Sequence, residues 1–147
     1  LDEAELMTRE EISLRWHTIQ PAEPDAEGNF RVIRDSACLD CRVESLSGSY
    51  LSLGMKRHHY EPPYHQDRSG EPLEQRREPY VELLLEDTAC RILSLFAVAK
   101  ADARTAWIRK GNTWSWDNGS ASSEVTCTDK SLCLRDTSSG KVIEVSL

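Results

Sequence analysis

Apolar and polar residues alternate along most of this chain. Ile12, Leu14 and Trp16 fall on one side of the backbone and Ser13, Arg15 and His17 on the other, the period of a strand. Thr8 with Glu11 resembles a capping box, so a helix is the competing reading of that segment. Phe30, Val32 and Ile33 begin a second strand, and Cys41–Glu44 resumes extended chain. Tyr50–Leu53 is a strand closed by Gly54, and Tyr80–Leu85 is another. Cys90–Val98 is the most apolar and is expected at a sheet centre. Trp107-Ile108 and Trp114–Trp116 flank a hairpin turn at Lys110-Gly111-Asn112. Val125–Cys127, Leu132–Leu134 and Val142–Val145 complete a meander.

Turn residues separate these runs: Pro21, Pro24, Gly28 and Asn29, then Asp35-Ser36, Ser47-Gly48, Glu86-Asp87-Thr88, Asp117-Asn118-Gly119 and Thr137–Gly140. Ala99–Thr105 reads as a connector with room for one helical turn. Many short strands between turn clusters predict an all-β domain of antiparallel sheets, as a sandwich, an open barrel or a propeller-like array. A faint internal echo pairs Asp35–Cys38 with Asp87–Cys90, and Cys41–Leu46 with Cys90–Leu95.

Residues 56–79 break the pattern. They hold Pro62, Pro63, Pro72 and Pro79 with His58, His59 and His65, and show no apolar period. Proline removes ladder donors, so a long loop is expected, of a kind that usually serves function. Its small tip, Ser69-Gly70, flanked by Asp67, Arg68 and Glu71 with Glu61 nearby, is the candidate partner-binding surface.

The chain has 147 residues, 39% of them hydrophobic, and a net charge of −7. That suits one globular domain over residues 12–147, preceded by a flexible acidic segment at 1–11. The acidic balance disfavours nucleic acid and anionic membrane as partners and favours a basic protein surface. No run approaches the ~18 apolar residues of a membrane helix. The start at Leu1 reads as a processed terminus, compatible with a lipid tether ahead of it.

Five cysteines, Cys38, Cys41, Cys90, Cys127 and Cys133, allow two bridges and one odd thiol. Structural disulfides in an oxidising compartment are the simplest reading. Reduced thiols are the alternative, and the Cys38/Cys41 spacing fits half of a zinc site that Cys127 and Cys133 do not complete. The histidines with Glu61 and Asp67 suggest a metal, but their spacing matches no ligand pattern, and no metal or cofactor is expected. Neither a nucleophile elbow nor a phosphate-binding glycine loop is present, so no catalytic residue is assigned. Trp107 is expected in the core, while Trp114 and Trp116 share one strand face as core, interface or sugar platform. Asn118-Gly119-Ser120 is a glycosylation sequon whose turn character suffices to explain it.

The order of Arg34-Asp35-Ser36, Cys41–Glu44, Ser69-Gly70, Glu82-Leu83 and Asp87–Ile92, followed by Trp107, a glycine turn and the Cys127/Cys133 pair, resembles periplasmic immunity proteins against type VI secretion cell-wall amidase effectors. The resemblance spans roughly the last three quarters of the chain, with gaps. It implies a β-rich, non-enzymatic inhibitor that plugs a secreted hydrolase with a loop, and bridges Cys41–Cys90 and Cys127–Cys133 with Cys38 left over. The longer proline-rich segment at 56–79 departs from it and points to an effector of another class, such as a muramidase or a lipase. The expected location is periplasmic or secreted. Competing functions are a small hydrolase or metal-dependent enzyme using the His58–Asp67 region, and an envelope structural lipoprotein.

Overall fold

A computed structural model of the protein describes residues 1–58, 68–70 and 78–147. Its strands, among the described residues, are β1 (Asp2–His17), β2 (Asn29–Arg34), β3 (Ala37–Ser47), β4 (Tyr50–Arg57), β5 (Pro79–Lys100), β6 (Ile108–Lys110), β7 (Thr113–Asp117), β8 (Ser122–Cys127), β9 (Ser131–Asp136) and β10 (Val142–Ser146). Every pairing is antiparallel, and the protein is all-β as the alternation predicts. Two open five-stranded sheets form, one ordered β1-β5-β3-β2 with β4 also on β5, the other a meander β10-β9-β8-β7-β6.

β5 organises the first sheet. β3 lies along its C-terminal half, with Ala37 opposite Lys100, and β4 lies along its N-terminal half, with Arg57 opposite Pro79. β3, β4 and β5 therefore make one long hairpin whose connection is residues 58–78. The joint between β3 and β4 is Gly48, at φ 98°, where an added Cβ would come within 3.0 Å of the Cys90 Cβ. Ser49 beside it donates through both its amide and its hydroxyl to the Asp87 carboxylate, at 3.2 Å each.

Two sequence expectations change here. Glu86-Asp87-Thr88 is not a turn, because β5 runs straight through it. Those polar residues lie beside register steps between Glu5 and Glu10 in β1, and at Ser45/Ser47 and Tyr50/Ser52 in β3 and β4. They mark a bulged stretch, where strands bend and twist more, rather than a reversal of the chain. Residues 1–11 are not a loose tether either. Asp2–Glu5 pair with Ile92–Ala89, and Arg91 and Glu86 form ion pairs back to Glu3 and Arg9, at 2.7 and 3.3 Å. The charges that suggested a tether decorate an edge strand.

The apolar period of β5 feeds two cores. Val81, Leu83, Leu85, Cys90 and Ile92 join Phe30, Cys41, Val43 and Ala22, with Ile12, Leu14 and Trp16 packed against them. Leu93, Leu95 and Ala99 point the other way and pack with Trp107, Trp114, Trp116, Val125 and Cys127, closing the two sheets on each other. Trp107 is core as expected, and Trp114 and Trp116 are too.

The cysteine bridges implied by the resemblance are a correction. All five cysteines are free thiols. Cys41 sits opposite Phe96, roughly 20 Å along β5 from Cys90 at ~3.3 Å per residue, far beyond the ~7 Å Cα reach of a disulfide. Cys133 lies opposite Thr126, so it shares a sheet face with Thr126 and not with its neighbour Cys127. Cys127 points into the core and Cys133 to the outer face.

Candidate functional site

The same alternation that buries Leu14, Trp16, Val81 and Leu83 sets Ser13, Arg15, His17, Tyr80, Glu82 and Lys56 on the opposite face of the sheet. They lie where β1 and β4 flank the start of β5, at the base of the 58–78 connection. Register fixes the neighbours: Arg15 opposite Glu82, His17 and Lys56 each opposite Tyr80, and Gly54 opposite Glu82. Gly54 has open space where a side chain would stand.

Glu82 is the centre of this cluster. Its side chain is only 3% exposed, between Arg15 and Lys56, which are about half-exposed. Ser13 Oγ donates to its Oε1 at 2.9 Å and Arg15 Nε at 2.8 Å, while Lys56 Nζ donates to Oε2. Burial pushes the Glu82 carboxyl up, but the hydrogen bonds from Lys56, Ser13 and Arg15 and the Lys56 charge outweigh it and hold the group below its ordinary 4.5. The bond to Glu82, against a smaller effect of burial, holds the Lys56 ammonium above its ordinary 10.5. Neither group is tuned to exchange a proton near neutral pH. Each is charged, and together they lock the strands across the hairpin base.

Aromatic rings continue the cluster toward the connection. The His17 ring lies 5.5 Å from Tyr80 and 6.4 Å from His58, centroid to centroid, and the Arg15 guanidinium sits 5.3 Å over the Tyr80 ring. The His58 amide donates to the Glu78 carbonyl at 2.8 Å and the Thr18 amide to the Pro79 carbonyl at 2.9 Å. These bonds close the base of the connection.

Of the partner-binding residues expected from sequence, Arg68, Ser69 and Gly70 form an exposed turn, with Gly70 at φ 87°. Asp67, Glu71 and Glu61 lie outside the described residues, as do His59 and His65. Among the described residues no group of three or more histidine, cysteine or acidic side chains could hold a metal ion.

A second polar cluster lies between the sheets, and sequence reasoning missed it. Asp40, 1% exposed, accepts from Arg31 Nε at 2.6 Å, from Trp116 Nε1 at 2.9 Å and from the Thr105 hydroxyl. Glu44 accepts from Trp114 Nε1 at 2.9 Å, and the Trp107 indole donates to the Asp40 carbonyl at 3.3 Å. Asp40 and Glu44 stand four residues apart on β3, on one face of the strand, and face three tryptophans. That spacing was visible, but nothing in the chain signalled which strand would lie over which. A cleft of about 340 Å³ opens beside Arg31, Asp40 and Thr105. Arg31 and Asp40 already partner each other, so the cluster is a joint between sheets.

No protein-family model matches the chain, and no curated protein matches it in sequence. Fold and site together define a two-sheet, all-β protein with a charge-locked hairpin whose base carries a cationic and aromatic rim.

Proposed function

We propose that this protein is a binding protein that inhibits a secreted cell-wall or lipid hydrolase, in the manner of a periplasmic immunity protein, by presenting the tip of the β4–β5 hairpin to the enzyme's active site. The observation that carries the reading is the position of the 58–78 connection. It closes the longest hairpin in the protein, and its base is held by Glu82 between Arg15 and Lys56 and by the backbone bonds of His58 and Thr18. Anchoring both ends of a loop lowers part of the entropy cost of ordering it on insertion, and occlusion of a cleft needs shape and a few polar groups rather than catalytic ones. The periplasmic location rests on the resemblance alone, because the cysteines that pointed the same way are thiols. Arg15, Lys56 and Arg57 at the hairpin base add a cationic rim, so the partner's contact surface carries acidic groups at its margin as well as a basic patch for the acidic body of the protein.

The test screens secreted cell-wall amidases, muramidases and lipases for inhibition by the parent protein, then replaces residues 66–72 with a Gly/Ser linker and repeats the measurement on the enzyme inhibited. Inhibition should fall by at least about a hundredfold, the loss of a central contact of ~2–3 kcal/mol. Thermal unfolding should stay where it was. A folded variant that inhibits as well as the parent overturns the reading.

A further inference from the structure

The second sheet overhangs the first. Trp114, Val125, Leu134 and Ile143 form one cross-strand row, and side chains in such a row share a face. Their exposure climbs along it, at 1, 5, 40 and 49%. The parallel row runs from Cys127 at 6% exposure to Val145 at 51%, by way of Leu132. The face that forms the inter-sheet core therefore continues past the end of the first sheet, and its last apolar residues meet solvent.

The strand carrying them is also an open edge. Asp136 donates to the Lys141 carbonyl and Leu147 to the Lys130 carbonyl, both at 2.9 Å, so the odd-numbered residues of β10 direct their backbone at β9. Val142, Glu144 and Ser146 direct theirs outward, where no described strand pairs with them. Other margins are blunted in the ways that normally prevent pairing. β1 carries Glu3, Arg9 and Glu11 and a register step, β2 carries Arg31 and Arg34, β4 carries Lys56 and Arg57, and β6 is three residues long.

We propose that β10 is a dimerisation edge and that its occupant is β10 of a second copy of this chain, paired antiparallel about a two-fold axis at Ile143. A two-fold axis normal to the sheet keeps each face on its own side, so only residues of equal parity can oppose each other. Centring on Ile143 lets Val142 and Glu144 of one copy exchange hydrogen bonds with Glu144 and Val142 of the other. It sets Ile143 against its own image beside Leu134, so the apolar row running out from each inter-sheet core meets its counterpart at the axis, with Val145 flanking it opposite Lys141 of the second copy. Charges complement one another in this register. Each Glu144 lies over Val142 of the second copy, with Arg135 on the next strand, since Val142 pairs with Arg135. Centring on Glu144 would set two carboxylates face to face, which is unfavourable.

The test is sedimentation of the full chain over a range of concentrations, with Ile143→Lys alongside. The parent should move from monomer to dimer as concentration rises, more readily at higher salt because each copy carries a net charge of −7. Ile143→Lys should stay monomeric with an unchanged thermal transition. Register is read by cross-linking in a Cys133→Ser background. Ile143→Cys meets itself across the axis and should form a disulfide-linked dimer on mild oxidation, while Val145→Cys, opposite Lys141 of the second copy, should form far less. If Ile143→Lys fails to fold, the cysteine pair decides. A parent that is monomeric throughout, a dimer indifferent to Ile143→Lys, or equal cross-linking at both positions overturns the proposal.

Discussion

Gly28 ends the turn that turns the chain into β2. The Asp25 side chain accepts from the amides of Glu27 and Asn29, at 2.9 and 2.8 Å, and the Gly28 carbonyl accepts from the Val43 amide at 3.0 Å. At φ 85° a side chain is strained, and a Cβ would strike the Val43 carbonyl oxygen. Gly28→Ala should cost at least about 2 kcal/mol, combining a left-handed penalty of ~1–2 kcal/mol with the clash, read as a lower denaturant midpoint. Gly54→Ala, into open space within a strand, should be neutral or stabilising by up to ~1 kcal/mol. The thiols separate as sharply. Burial, with Asp40 and Cys38 adding to it, pushes the Cys41 thiol up to about 12, and burial raises Cys90 despite an opposing hydrogen bond from the Ala4 backbone. Both groups favour the neutral thiol in the fold, so their contribution to stability is complete below the ordinary value of 9.0 and is lost as pH rises through the folded values. Native protein treated with a thiol reagent near pH 8 should label Cys133 first and the four buried cysteines only on unfolding, as peptide mapping would show. Rapid labelling of Cys41 in folded protein would contradict its place in the core.

At the scale of strands, the hairpin of β3, β4 and β5 depends on carboxylates that are charged. Glu82 is held below its ordinary value as described, and Asp87 is held below its own mainly by the Thr88 amide and the Ser49 hydroxyl and amide, against burial. A depressed carboxyl contributes stability that is complete above its unfolded value and is lost as pH falls through its folded value. Unfolding monitored from pH 6 downward should therefore show stability declining below about pH 4.5, and Glu82→Gln should flatten that decline. An equally steep decline in Glu82→Gln would remove Glu82 from the account. The period-two runs made these strands legible in the sequence: Ile12–Trp16, Tyr50–Leu53, Tyr80–Leu85 and the closing meander all stand where alternation placed them. What alternation could not supply was continuity. Glu86-Asp87-Thr88 has the composition of a turn, and only the register steps on both neighbouring strands let those polar side chains sit within a strand. Likewise Glu3, Glu5 and Arg9 read as solvated tail because an edge strand shows water much of the surface a tail does. Lys56 and Glu82 are 26 residues apart and meet only through the register of β4 on β5, so the charge lock was invisible, although its position beside the proline-rich connection was not.

Across the whole molecule, stability turns on how the two sheets are joined. Hydrophobic packing of Leu93 and Leu95 against Trp107, Trp114 and Trp116 supplies the attraction, but it does not by itself fix one orientation. Orientation comes from indole donors meeting fixed acceptors: Trp116 and Trp107 on Asp40, and Trp114 on Glu44. Arg42 also donates to the Trp107 carbonyl at 3.1 Å, so each sheet supplies both donors and acceptors. Removing the Asp40 carboxylate, itself buried, takes the acceptor from Arg31, Thr105 and Trp116. Losing one partner of a buried ion pair typically costs ~3–5 kcal/mol, a large share of the ~5–15 kcal/mol that holds a domain together. Asp40→Ala should therefore fold marginally or not at all. Asp40→Asn keeps one acceptor oxygen and should cost less, and Trp116→Phe removes a single donor for about 1–2 kcal/mol. The decisive quantity is the coupling between Asp40→Asn and Trp116→Phe in a double-mutant cycle, measured by urea unfolding. If the carboxylate and the indole act on each other, the double variant should be less destabilised than the sum of the singles by at least about 0.5 kcal/mol. Tryptophan fluorescence, which reports the joint, and far-ultraviolet dichroism, which reports both sheets, should trace one transition in every variant. Additive costs would reduce the bond to a by-product of packing. Separated transitions would mean that each sheet is stable alone, and that the tryptophan joint fastens two units rather than completing one.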